Sequence, residues 1–373
     1  MTTPRVEIDL GKITQNAQCL VRRLGPRGIS VTGVTKAVCG HPDVAKAMLS
    51  GGVADLADSR VSNVIRMRAA GIACPISMIR APVSHSIEDV VRCCDTSYNT
   101  EIDTIRKLGS AAREQGTEHH VILMVEMGDL RDGIMPEDLN DVASRVVATP
   151  GVILKGIAAN FACMGITAPT VGDMAMLSRL ADQVEAKCGP HVALVSGGSS
   201  ANLAWALGQR VTGRINNLRL GEAILLGIDP VSGQPIHGLH TDAFALFAEV
   251  IETGLKPCSM PKRPEAPKHG TLELILKSDY KGRSVLAVGQ QDTDASGLTF
   301  PSGVKFIGAT SDHLVVDTSD ADMSVGSEMK ISMNYSALMR SMSAPDVEKR
   351  VDHGLQIDGA VKGAKPQPRL RLV

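Results

Sequence analysis

Apolar, β-branched runs and amphipathic stretches alternate along the chain up to about residue 230. The runs are Ile29–Val34, Val53–Leu56, Pro75–Ile79, Val90–Cys94, Val121–Val125, Val152–Ile157, Val192–Val195 and Leu218–Leu220. Each is short and rich in Val, Ile or Leu, so each is expected to be a buried strand. The segments between them repeat their apolar positions at the helical period. Leu10–Leu24 places Leu10, Ile13, Ala17, Leu20, Val21 and Leu24 on one face. Val44–Leu49, Val61–Ala70, Glu101–Gln115, Pro136–Ala148, Val171–Ala186 and Ser200–Leu207 follow as helices. Thr100 ahead of Glu101, and Pro136 with Glu137 and Asp138 behind it, supply start signals. Strands and helices alternating in this way build βαβ units on a parallel sheet. Eight such units favour a closed (β/α)8 TIM-type barrel over residues 11–240, with an open doubly wound sheet as the alternative.

The texture changes after about residue 240. Phe244–Glu252, Leu272–Leu276, Ser284–Val288, Val304–Ile307, Leu314–Val316 and Glu328–Ile331 read as short strands separated by turn residues. With little helical signal among them, residues 241–350 are expected to form an antiparallel β domain, joined by residues 1–10 through a strand at Val6–Leu10. Lys256–His269 carries Pro257, Pro261, Pro264 and Pro267 and is expected to be a loop. Residues 351–373, rich in Gly, Pro and basic residues without periodicity, are expected to be a mobile tail.

Composition narrows the classes. Lys and Arg number 39 against 40 Asp and Glu, a formal net charge of -1, which argues against a nucleic-acid footprint. An apolar content of 43% and a charged content of 21% are ordinary for a soluble globular protein. No apolar run approaches the ~18 residues of a membrane span. Met1-Thr2-Thr3-Pro4-Arg5 lacks an apolar core of a signal peptide, so a cytoplasmic location is expected. The eight Cys are scattered, with only Cys93 and Cys94 adjacent. No zinc ribbon, metal site or dense disulfide framework is expected from that spacing. Aromatic residues are scarce, and a mechanism that uses a tyrosine has only Tyr98, Tyr280 and Tyr335 to draw on.

In a parallel barrel the chemistry gathers where strands end. The first run ends in Val34-Thr35-Lys36. A lysine at that mouth is desolvated, which lowers its pKa and suits it to Schiff-base or proton-transfer chemistry. Periodicity alone favours a lysine that snorkels to solvent. The fifth run ends in Gly128-Asp129-Leu130-Arg131-Asp132-Gly133, where the glycines allow a tight loop presenting the Arg131 fork to a carboxylate or to its own acidic neighbours. The seventh leads into Ser196-Gly197-Gly198-Ser199-Ser200-Ala201-Asn202, small residues that let backbone N–H groups approach a phosphate, or merely cap a helix. The eighth carries Arg219 within Leu218-Arg219-Leu220-Gly221-Glu222-Ala223, a costly cation unless it is paired. Phosphate anchoring beside an Arg and a Lys points to a phosphorylated aldehyde cofactor, pyridoxal 5'-phosphate (PLP).

These motifs, taken in order, resemble the alanine racemase-type (fold type III) PLP enzymes, and within them the ornithine racemase-type group. The series also includes Asp58-Ser59-Arg60, Met78-Ile79-Arg80-Ala81-Pro82, Asn160-Phe161-Ala162-Cys163, Gly289-Gln290-Gln291-Asp292 and Ser311-Asp312-His313. The resemblance implies that Lys36 holds PLP covalently and that Arg219 faces the pyridine nitrogen. Because a guanidinium does not give up its proton, that nitrogen would stay unprotonated. It also implies that Ser199, Ser200 and Gly221 cradle the phosphate, that Asn160 lies under the ring, and that Arg131, with Arg80, serves the substrate side. The implied activity is racemisation of an amino acid, basic or polar and ornithine-like, by a homodimer with shared active sites. Glu126, Asp129, Asp132, Glu222 and Asp312 are the acidic candidates for the substrate's side chain. An alanine or broad-specificity racemase, a D-threonine aldolase-like lyase and a non-catalytic PLP carrier are the alternatives.

Two departures from alanine racemases stand out. Racemisation needs one base on each face of the α-carbon. Lys36 would be one of them. The tyrosine that the resemblance would supply from a Gly-Tyr-Gly-Asp-type loop is missing, since that loop reads Gly289-Gln290-Gln291-Asp292. His313, with Asp312 beside it, is the expected replacement, ahead of Tyr335. The other departure is Ala344-Pro345-Asp346, where a phosphate-contacting tyrosine would stand in relatives.

Overall fold

A computed structural model describes residues 4–165, 167–189, 191–257 and 280–352. Among them, eight parallel strands close into a barrel: β2 (Ser30–Val34), β3 (Asp55–Asp58), β4 (Ile76–Met78), β5 (Thr96–Asn99), β6 (His119–Val125), β7 (Val152–Ala159), β8 (Leu194–Ser196) and β9 (Asn217–Leu220). Ser30 of β2 lies opposite Asn217 of β9, which closes the ring. The helices around it are α1 (Leu10–Leu24), α2 (Pro42–Ser50), α3 (Val61–Ala69), α4 (Ile87–Cys93), α5 (Ile102–Glu114), α6 (Leu139–Val147), α7 (Val171–Cys188), α8 (Leu203–Ala206) and α9 (Glu222–Leu226).

The second unit is an antiparallel sheet. It contains β10 (Phe244–Pro257), β11 (Tyr280–Leu286), β12 (Leu298–Thr299), β13 (Lys305–Ala309), β14 (Leu314–Asp317) and β15 (Glu328–Met333), in the order β12-β15-β10-β11-β14-β13. The N-terminal β1 (Arg5–Asp9) pairs antiparallel with β10 and parallel with β16 (Glu348–Asp352). A register shift between Val250 and Glu252 lets the long β10 serve β1 and β15 with its first half and β11 with its second. A closed parallel barrel followed by an antiparallel β domain is the expected fold class.

Several segments differ from the sequence expectation. Val90–Cys94 is not a strand: Val90 to Cys93 close α4, whose Glu88 and Asp89 lie in the first turn and Arg92 in the last. The strand lies further on, at Thr96–Asn99, and contains Tyr98. Its run of Thr, Ser and Asn hid it, because these buried side chains find polar partners of their own. Ser97 Oγ, for example, meets His119 Nε2 at 2.9 Å and Asn99 Nδ2 at 2.9 Å. Pro136 precedes α6 rather than opening it; the helix begins at Leu139. Among the elements not anticipated are β12, α9, β16, which takes in Val351 and Asp352 from the expected tail, and helix α10 (Tyr335–Ser343), capped by Asn334 Oδ1 accepting from Ala337 N at 3.0 Å. The expected strand Leu272–Leu276, most of the proline-bearing loop and the expected tail from His353 onward lie outside the described residues.

α10 reaches from the β domain to the barrel. It packs against the turn Lys36–Val38 that follows β2. It is tied back to its own domain by Arg340 Nη2, which donates to Gln290 O at 3.1 Å, and by Ser341 Oγ, which meets Thr293 Oγ1 at 2.9 Å.

Candidate active site

A cavity of about 740 Å³ opens among the loops that follow the barrel strands. Lys36 enters it from a short 3-10 turn, Lys36–Val38, directly after β2. A buried network holds that turn. Thr35 Oγ1 donates to Asp58 Oδ2 at 2.7 Å, and Asp58 Oδ1 accepts from Asn63 Nδ2 at 2.9 Å and from Arg60 N at 3.0 Å. Burial pushes the Asp58 carboxyl upward, and these donors oppose the shift. Burial pushes the Lys36 ammonium pKa down; Arg131 and Arg219 add to that, while Cys163 and Asp58 oppose it. The amine is therefore available as a neutral nucleophile at lower pH than an exposed lysine.

Arg219, 5% exposed within β9, meets the cost of burial through three acceptors. It donates to Ser196 Oγ at 2.6 Å, Ala159 O at 2.9 Å and Asn160 Oδ1 at 2.6 Å. Its guanidinium carbon also sits 5.2 Å from the centre of the Tyr98 ring. Asn160 thus holds Arg219 from below. At the far side, Gly198 takes φ +121, a conformation that requires glycine there. The fully buried Asn202 donates from Nδ2 to Gly197 O. Ser200 Oγ accepts from Ala223 N at 3.2 Å, which joins the loop after β8 to the one after β9 and leaves the hydroxyl proton free to donate.

The loop after β6 carries Arg131. Glu126 Oε1 accepts from Gly128 N at 2.6 Å and Leu130 N at 3.0 Å. A Cβ on Gly133 would lie 2.4 Å from Glu126 N, so only glycine permits the turn to close that tightly. Arg131 Nε donates to Asp132 Oδ1 at 2.7 Å. Asp129, nearly buried, keeps Oδ2 within 3.7 Å of Arg131 Nε, and its Oδ1 accepts from Cys163 N at 2.7 Å and Met164 N at 3.1 Å, fastening two mouth loops together.

Lys36, Arg80, Arg131, Asn160, Ser199, Ser200, Arg219 and Gly221 all line this one cavity. Asp312 and His313 do not. They sit on a turn of the β domain, with Asp312 exposed and His313 partly buried. The structure does bring together the two runs that the sequence singled out there. Gln290 N donates to Thr310 O at 2.9 Å, Gln291 N to Ser311 O at 3.1 Å, and Gln291 Nε2 to Asp312 Oδ1 at 2.5 Å. A Cβ on Gly289 would meet Ser311 O at 2.2 Å, which is why that run begins with glycine.

Tyr335, Glu222, Cys163 and Tyr98 also line the cavity. Tyr335 opens α10, and burial holds its phenol strongly protonated, with Glu222, Asp58 and Cys163 acting in the same direction. Nothing in the sequence signals that a helix of the β domain reaches the Lys36 turn. The Glu222 carboxyl is pushed up to about 7 by burial and then by Asp229, against the pull of Lys36. Its place directly after Gly221 was the available signal. The donor set has the chemistry that a phosphorylated aldehyde needs: a buried amine, free hydroxyls beside a glycine-rich loop, and a fixed guanidinium between them. Among the described residues, no helix is long and apolar enough to cross a membrane.

Residues 8–229 match the family described as alanine racemase, N-terminal domain. The chain is 32% identical to ornithine racemase of Acetoanaerobium sticklandii over 352 residues, 93% of this chain and 99% of that one. It is 33% identical to lysine racemase of Thermotoga maritima over 351 residues, 94% of this chain and 98% of that one. In fold it matches the alanine racemase of Clostridium difficile 630, with a TM-score of 0.73 at 20% identity, covering 95% of this chain and 97% of that one. By its motifs, its two-part fold and its near full-length relatives, the chain belongs to the alanine racemase family of PLP-dependent enzymes.

Proposed function

We propose that this protein is a PLP-dependent amino-acid racemase. It interconverts the L- and D-enantiomers of a basic amino acid such as ornithine or lysine, and acts as a cytoplasmic homodimer with shared active sites. The observation that carries the reading is the placement of Lys36, Arg219 and the Ser199–Ser200–Gly221 segment around one cavity. The two near full-length relatives, named as ornithine and lysine racemases, support the substrate class.

When bound, PLP would supply an electron sink that acidifies the substrate's α-hydrogen. In this reading Lys36 would hold the cofactor and would serve as the base on one face of the α-carbon. Its depressed pKa keeps the amine neutral, and so able to accept that proton, at lower pH than an exposed lysine. Ser199, Ser200 and Gly221 would bind the phosphate, and Ser200 has a free hydroxyl proton for it. Arg219, kept in place by Ser196, Ala159 and Asn160, would serve the pyridine nitrogen. Arg131 and Arg80 receive the substrate carboxylate. The second base is assigned to Asp312–His313 of a second copy of the chain, since one chain's cavity does not include that turn.

Incubating the protein and PLP with L-alanine, serine, lysine, ornithine and arginine, followed by chiral chromatography, tests the reading. D-ornithine and D-lysine should accumulate at least ~10-fold faster than D-alanine, the discrimination expected of a buried charged contact. Faster turnover of alanine would replace the proposal with an alanine racemase. Glycine and an aldehyde from a β-hydroxy amino acid, without racemisation, would make the protein a lyase.

A further inference from the structure

Five carboxylates were candidates for recognising a cationic side chain, and the structure has already engaged four of them. Glu126 accepts two backbone amides of its own loop. Asp129 accepts the amides of Cys163 and Met164. Asp132 is paired with Arg131 at 2.7 Å. Asp312 accepts from Gln291 and from Ser311 Oγ at 3.0 Å, away from the cavity. Glu222 is different. It lines the cavity, is half-buried, and makes no side-chain hydrogen bond or ion pair among the described residues.

We propose that Glu222 is the specificity residue of this site, and that its carboxylate receives the terminal ammonium of a basic amino-acid substrate. The inference rests on the racemase reading with a basic substrate and deepens it. A carboxylate in a partly desolvated pocket costs free energy until a cation joins it. The elevated proton affinity of Glu222 fits a group that still lacks that cation. Lys36 faces it in the same cavity, but its lowered pKa and its role as a base favour a neutral amine, which leaves the carboxylate without a fixed cation. Asp229 adds negative charge, which strengthens the pull on an incoming ammonium. Tyr335, also on the cavity, keeps its proton and contributes no opposing charge.

The test compares two ligands that differ only in that ammonium. Phosphopyridoxyl-L-ornithine and phosphopyridoxyl-L-norvaline are titrated calorimetrically into the full-length chain freed of PLP. The wild-type protein should bind the ornithine conjugate at least ~10-fold more tightly, as a charged hydrogen bond implies. Glu222→Gln should bring the two dissociation constants to within about twofold of each other. Binding of the norvaline conjugate should stay unchanged, which confirms a folded cavity. With PLP restored, the variant should raise KM for ornithine far more than it lowers kcat. If wild-type protein shows no preference, the basic-substrate reading falls and this inference falls with it. If wild-type protein shows the preference and Glu222→Gln retains it, or if Asp312→Asn removes it instead, the racemase reading stands and the assignment of Glu222 is overturned.

Discussion

Lys36→Ala is expected to abolish turnover and to lose the absorption near ~420 nm that a lysine-bound PLP gives. Both effects follow from position. The β2 strand ends at Val34, and the Thr35–Asp58–Asn63 network fixes the next turn, so the Lys36 amine sits in the cavity. The variant loses the covalent anchor and a proton-transfer group together, so the loss should exceed the ~10²–10⁴-fold typical of one acid–base group. The wild-type protein offers a matching pH signature. A lysine whose pKa is lowered in the folded chain carries its neutral amine at lower pH than usual. Reconstitution with PLP should therefore speed up as pH rises and level off below the ~10.4 of an ordinary lysine. A Lys36→Ala protein that kept a borohydride-reducible link to PLP at full occupancy would show that another residue holds the cofactor.

The second large effect concerns the opposite face of the substrate. Of the three tyrosines, Tyr280 does not line the cavity. Tyr98 is buried inside the barrel beneath Arg219. Tyr335 lines the cavity, but burial keeps its phenol protonated, which disfavours it as a base. His313 lies on the turn that backbone hydrogen bonds join to the Gly289-Gln290-Gln291-Asp292 run. An isologous dimer brings the same patch of each copy against the other, so this turn can complete the second copy's cavity. His313→Asn should then lower racemisation by ~10²–10⁴-fold while PLP stays bound. The loss should be directional, with α-proton exchange surviving for the enantiomer served by Lys36. Near wild-type turnover in both directions would move the assignment to Tyr335.

The barrel was legible because seven of its strands carry the apolar runs of a sheet covered on both faces. The missed one, Thr96–Asn99, is polar because its buried Ser97 and Asn99 hydrogen-bond each other, and the apolar Val90 and Val91 next to it belong to a helix. The cofactor side of the cavity was legible for a related reason. Lys36, Ser199, Ser200, Arg219 and Gly221 all follow or end barrel strands, so chain order places them at the same mouth. Tyr335 was not placed there, because its arrival depends on how α10 packs against the Lys36 turn, a long-range contact without a local pattern. Glu222 stood out only once hydrogen bonding had accounted for the other four carboxylates.

The reaction proposed for this site is reversible proton transfer at the α-carbon of a basic amino acid. Incubating L-ornithine with protein and PLP in deuterium oxide, with mass spectrometry of the separated enantiomers, tests it most directly. Enantiomers have equal free energy in water, so the reaction should stop at equal amounts of L- and D-ornithine, with deuterium at the α-carbon of the product. Ornithine recovered wholly as the L-form, or consumed without any D-form appearing, would contradict the account.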